Sequence, residues 1–128
     1  MARTLVTPPE AEPLLLADIE THCRIDAAAY IEESGLLASL IRAAREWTET
    51  FCNRALITQT WDHFLSAWPD GDAIALPLGQ LSAVGLTVRY KDWAGTEHTF
   101  SSAHYIVDTD SEPGRVVLGY GESWPSVT

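Results

Sequence analysis

The sequence predicts an α+β fold: an N-terminal helical pair, one short helix and one long helix, followed by a small antiparallel β lobe. Three observations carry this. Leu36, Leu37, Leu40, Ile41, Ala44, Trp47, Thr48 and Phe51 recur at spacings of three and four, which lays one apolar stripe along a helix. The text then changes period: Leu56-Ile57-Thr58-Gln59-Thr60-Trp61 is β-branched and aromatic, which suits a pleated surface. Turn signals punctuate the rest about every 8 to 12 residues, the spacing of short strands.

Taken in order, residues 1–13 hold three prolines and two glutamates and are expected to form a flexible, unanchored arm. Residues 14–23 read as a short amphipathic helix, with Leu15, Ile19 and His22 or Cys23 sharing a face. Arg24-Ile25-Asp26 ends it, and Asp26 is placed to cap the next helix. One long helix follows from about residue 28 to 52, weakened at Gly35. Arg42, Arg45, Glu46 and Glu49 fall on the side away from the apolar stripe. Asn53 sits where a terminator is wanted, because Asn tolerates the left-handed conformation.

Strands are expected at 56–61, at 74–77 ended by Pro77, at 84–90 as a central strand, and at 97–100, 105–108 and 115–118. The turns between them are Pro69 to Asp72, Asp92 to Thr96 with Gly95 supplying positive φ, and Glu112 to Gly114. The organisation is one domain: arm 1–13, helical part 14–54, β lobe 55–128.

The chain has 128 residues and a net charge of −10, from 8 basic and 18 acidic residues. Binding to nucleic acid through affinity for phosphates needs clustered Lys and Arg, and here they are few and scattered. An acidic protein can still stand beside DNA and let the duplex slide past. No apolar run is long enough for a membrane span. The N-terminus lacks the apolar core of a secretion signal, so synthesis in the cytoplasm is expected. Cys23 and Cys52 are too few for a disulfide scaffold and read as buried free thiols.

The sequence holds no recognisable catalytic constellation. His22, His63, His98 and His104 have neither zinc spacing nor an HExxH context. There is no nucleophile elbow and no phosphate loop. Asp108-Thr109-Asp110-Ser111-Glu112 alternates oxygens like a loose calcium site but lacks the central glycine, so it reads as a solvated turn. An enzyme built on an acid pair would depend on Asp108 or Asp110. No catalytic residue, cofactor or metal site is assigned. Of the five tryptophans, Trp61, Trp68, Trp93 and Trp124 lie in the β lobe. They could form a carbohydrate- or peptide-binding face. The pairs Trp68-Pro69 and Trp124-Pro125 favour structural corners instead.

Four blocks resemble the head–tail connector, or adaptor, family of long-tailed bacteriophages and gene transfer agents. They are LLLADIETHCRID, LIRAAREWTETFCNRALITQTWD, LPLGQLSAVGLTVRYKDWAGTEHTF and SAHYIVDTDSEPGRVVL. Together they cover about residues 14–125, and Arg54 to Trp61 is the strongest piece. Asn53 stands where the family usually has glycine. Family members usually continue past the Trp-Pro with another strand and a C-terminal helix, so the expectation is either a short member or a sequence without its last part, the C-terminal helix included.

The resemblance implies a structural, non-enzymatic subunit of the virion neck at the head–tail junction. Such proteins form a ring of about twelve copies beneath the portal protein. The ring extends the DNA channel without gripping DNA and docks a stopper or tail-completion protein. On this reading the long helix packs on the short helix and on the neighbouring subunit. Arg42, Arg45 and Arg54 are candidates to pair with acids of that neighbour or of the portal, and Trp93 is a candidate interface aromatic. The alternative for the arginines is a solvated helix face.

Overall fold

A computed structural model describes residues 2–127, except for the side chains of residues 27–32. It divides into two compact units, residues 3–62 and residues 63–127 with Ala2.

The first unit holds the helices. Strand β1 (Ala2–Thr7) is followed by helix α1 (Leu16–Cys23) and helix α2 (Ala27–Cys52). Asp18 in the first turn of α1 reaches back to accept the Leu15 N–H at 2.9 Å, satisfying a donor the helix leaves open. Arg24 then turns left-handed at φ 54° and stops the helix. Asp26 occupies the cap position of α2, but its side chain makes no capping bond. Asn53 ends α2 in the left-handed conformation at φ 50°, as its residue type predicts.

Beyond α2 comes β2 (Thr60–Phe64), which pairs with β1 in a two-stranded sheet. The stretch read as an arm therefore carries a strand. Thr4-Leu5-Val6-Thr7 has the β-branched content for it. Arg3 places its guanidinium over the Trp61 ring, 5.2 Å from the centroid.

The second unit is all β. Strands β3 (Ala73–Ala75), β6 (Tyr105–Asp108) and β7 (Arg115–Leu118) form an antiparallel sheet in the order β3-β7-β6. Ile74 faces Val116, and Val107 faces Val116 from the other side. Strands β4 (Val88–Lys91) and β5 (Glu97–Phe100) make a separate hairpin, with Val88 opposite Phe100. Gly95 takes φ 84° in its turn. The expected central strand at 84–90 is thus corrected. Gly85 adopts φ 79° and breaks the run, so pairing begins only at Val88 and the strand has one partner.

The core of this unit is Ile74, Phe100, Tyr105, Val116 and Leu118, ringed by Trp68, Tyr90 and Trp124 among others. Trp68 and Trp124 stack at 4.9 Å with planes 9° apart, and the Trp124 indole N–H donates to the Gly71 carbonyl at 2.8 Å. Both tryptophan–proline corners are therefore packed into this core.

Cys23 and Cys52 are free but exposed, not buried. Each is the last residue of its helix.

Candidate functional site

The feature that stands out is the way α2 is turned. On a helix of 3.6 residues per turn, Leu36, Leu40, Ala43, Trp47 and Phe51 fall within an arc of about 80°. Leu36 is 60% exposed, Leu40 55%, Trp47 67% and Phe51 77%. The Trp47 and Phe51 rings stack at 5.2 Å and form a ridge on that face. It runs roughly 22 Å along the helix.

The covered side of α2 lies about 150° around the axis and is charged. Ile41 is buried there, and so are Arg45 and Glu49, each only 7% exposed. The Arg45 Nε donates to Glu12 Oε2 at 2.7 Å, and its Nη1 donates to Glu49 Oε2 at 2.7 Å. Glu49 in turn accepts at Oε1 from the Leu56 N–H and from Gln59 Nε2, each at 2.9 Å. One guanidinium and one carboxylate thus tie the N-terminal segment, α2 and the connection after it into a single knot. The hydrogen bond from Arg45 to Glu12, then the bond and charge of Glu49, hold the guanidinium pKa above its ordinary value against the opposing effect of burial.

Arg45 does not lie on a solvated helix face: it is buried, and acids of its own chain occupy its fork. The wider apolar stripe read from the sequence also splits: Ile41 turns inward, Leu37 and Thr48 are half-buried, and the large residues at 36, 40, 47 and 51 turn outward. Arg42 stays exposed, 4.0 Å from Glu12. Arg54 is also exposed, and its backbone N–H donates to the Glu49 carbonyl at 3.0 Å. Trp93 is exposed in the β4–β5 turn. The role of Glu12 was not legible, since a glutamate between prolines carries no pattern. The opposite charges of Arg45 and Glu49 at i,i+4 were a signal, though one shared with exposed pairs.

Beside the knot lies an open notch of about 270 Å³, lined by Pro13, Leu14, Ile41, Ala44, Thr48 and Leu56 with the Arg45 stem. It is smaller than the roughly 300–1,000 Å³ of pockets that hold small-molecule ligands.

Two aspartates of the β unit are engaged in turns. Asp92 accepts from the Thr96 N–H at 2.9 Å and lies 3.0 Å from His98 Nε2. The His98 bond, then the backbone bonds, hold its pKa below the usual carboxylate value. Asp108 accepts from the Ser111 hydroxyl at 2.6 Å and from Arg115 Nη2 at 2.6 Å, with the Asp110 and Ser111 N–H groups on its other oxygen. It is held far below the usual range, mainly by Ser111 and then Arg115. The Asp108–Glu112 loop, read from the sequence as a solvated turn, is a turn closed by its own donors. His104 Nδ1 lies 2.9 Å from Glu122. Among the described residues no helix is long and apolar enough to cross a membrane.

Comparison with known proteins fits this picture of a scaffold. No curated protein matches the chain. A chain in the structure titled "Neck of empty GTA particle computed with C6 symmetry", a gene transfer agent particle, is similar to this one. It has 29% sequence identity and a TM-score of 0.76, over 98% of this chain and 64% of that one. The present chain thus spans slightly less than two thirds of its relative's length. The model of the phage gp6-like head–tail connector protein family matches residues 14–104, which take in both helices and strands β2 to β5. The chain belongs to the phage gp6-like head–tail connector family.

Proposed function

We propose that this protein is a structural subunit of a phage-type neck. It forms a ring of about twelve copies under the portal, extends the DNA channel and docks the next tail-proximal protein. The observation that carries the reading is the family match over both helices and the first β hairpin, together with likeness to a neck component. Twelve is compatible with the six-fold symmetry used for that neck. The outward apolar face of α2 suits a subunit that completes its core against others. The net charge of −10 suits a channel wall that DNA crosses without sticking. The chain works by shape and contact rather than by catalysis, and its site is the neck at the head–tail junction.

The stacked Trp68–Trp124 pair is core, so a carbohydrate- or peptide-binding face on these rings finds no support. The test is genetic and biochemical. Particles made without this protein should accumulate filled heads and separate tails, and adding the purified chain should restore joined particles. Normal joined particles in its absence would refute the reading.

A further inference from the structure

We propose that copies of this chain join head to tail through α2, the Trp47–Phe51 ridge of one copy seating in the Pro13–Leu14–Ile41–Leu56 notch of the next. The inference rests on the ring reading and adds the two surfaces that make the joint.

A closed ring needs two different patches on each subunit, one complementary to the other. The helical unit has such a pair. The ridge is a stacked Trp–Phe pair standing out from the helix, and tryptophan is the residue type most enriched among interface anchors. The notch is apolar, open, and smaller than a ligand pocket, a size that suits one or two side chains. Ridge and notch lie on different sides of the same helix, so one copy can give the first and receive on the second.

Ridge and notch are carried by one chain, and the similar neck is built with rotational symmetry, so the occupant is a copy of the same chain. The net charge of −10 opposes that contact at long range, so the joint must rest on apolar burial. The outward face supplies it. Aromatic side chains bury about 150–250 Å² each, so the exposed parts of Trp47, Phe51, Leu36 and Leu40 together offer roughly 400–500 Å². That is about half of one partner's share of a standard interface, enough for its centre, with a polar rim around it.

The experiment uses two variants at exposed positions: Trp47→Glu removes the ridge, and Leu14→Lys charges the notch rim. Phe51→Lys and Leu56→Lys serve as second versions should either first choice misfold, which circular dichroism reports. Sedimentation velocity is run on each chain alone and on the equimolar mixture. Wild type should assemble, and each variant should weaken self-association at least ~30-fold, the size of an anchor residue's loss. The mixture should give a one-to-one heterodimer and nothing larger, because only one competent joint remains. If Leu14→Lys assembles like wild type while Trp47→Glu does not, the ridge meets something other than the notch and the proposal falls. If both variants assemble like wild type, or the mixture stays monomeric, the proposal falls and the ring reading stands. A wild-type chain that remains monomeric at every concentration, alone and on portal rings, overturns both.

Discussion

Replacing Arg45 with Met should be among the most damaging single changes in the helical unit. Met keeps most of the stem's packing and removes the charge. Glu49 would retain two donors at one oxygen, Leu56 N–H and Gln59 Nε2, but its other oxygen would lose the guanidinium at 2.7 Å. Breaking a buried pair from one side costs about 3–5 kcal/mol, because the remaining carboxylate is uncompensated. Glu12 is partly exposed and can rehydrate, and Glu49 keeps its two neutral donors, so the lower end, about 3 kcal/mol, applies. For a chain of this size that lowers Tm by roughly 10 °C.

Far-UV circular dichroism at 222 nm is the assay, because both α-helices lie in this unit. Protein concentration is kept low and fixed, so that assembly does not contribute. Adding Glu49→Gln to Arg45→Met should recover about half the loss, since no buried charge is then left alone. Arg42→Met, on an exposed side chain 4.0 Å from Glu12, should cost no more than about 0.5 kcal/mol. The reasoning fails if Arg45→Met lies within 1 kcal/mol of wild type, or if Arg42→Met is equally harmful.

Three further outcomes follow from the β unit. Trp124→Ala should destabilise it by about 3 kcal/mol, the range for emptying a large aromatic site, read as an early loss of near-UV circular dichroism; an unchanged near-UV transition would contradict the packing. Gly114→Ala should cost about 1–3 kcal/mol by overpacking, because a Cβ at this buried residue would collide with Leu81; a neutral result in urea unfolding would show that the loop yields. Asp108 has a native pKa below its unfolded value, so the stability it contributes is present above about pH 4 and is lost as pH falls through its native pKa. The urea midpoints of wild type and Asp108→Asn should therefore differ at pH 6 and converge toward pH 2; a constant gap would remove Asp108 from the acid response.

Much of the fold was legible because it rests on local period and local backbone demands. The three-four repeat from Leu36 to Phe51 marks the body of α2, the Ala- and Glu-rich text after Asp26 marks its start to within a residue, and Asn53 and Gly95 stand where positive φ is needed. Strands β3, β5, β6 and β7 fall within or beside the stretches read as strands, since the turn residues between them leave few other registers. The strand in residues 2–7 was missed because the prolines after it dominate that segment's composition. The range of β4 was overextended because apolar content at Val84 and Leu86 outweighed a glycine that needs positive φ.

The site was harder to read, for a different reason. Periodicity shows that one side of α2 is apolar, but it cannot show what covers that side. In a lone globular chain the covering partner is the chain itself, and charged residues stay outside. Here Arg45 and Glu49 take the inner side, made tolerable by Glu12, 33 residues before Arg45, and by Gln59 in the connection after the helix. Leu36, Leu40, Trp47 and Phe51 are left outward. Such an inversion is intelligible for a subunit whose core is completed by assembly.

The most direct test places a photoreactive benzoylphenylalanine at position 47 and irradiates assembled necks. A ridge seated in the notch gives a crosslink, found by tandem mass spectrometry, to Pro13, Leu14 or Leu56 of a second copy of the same chain. A crosslink to a different neck protein, or position 47 left unreacted and open to solvent, would contradict that seating.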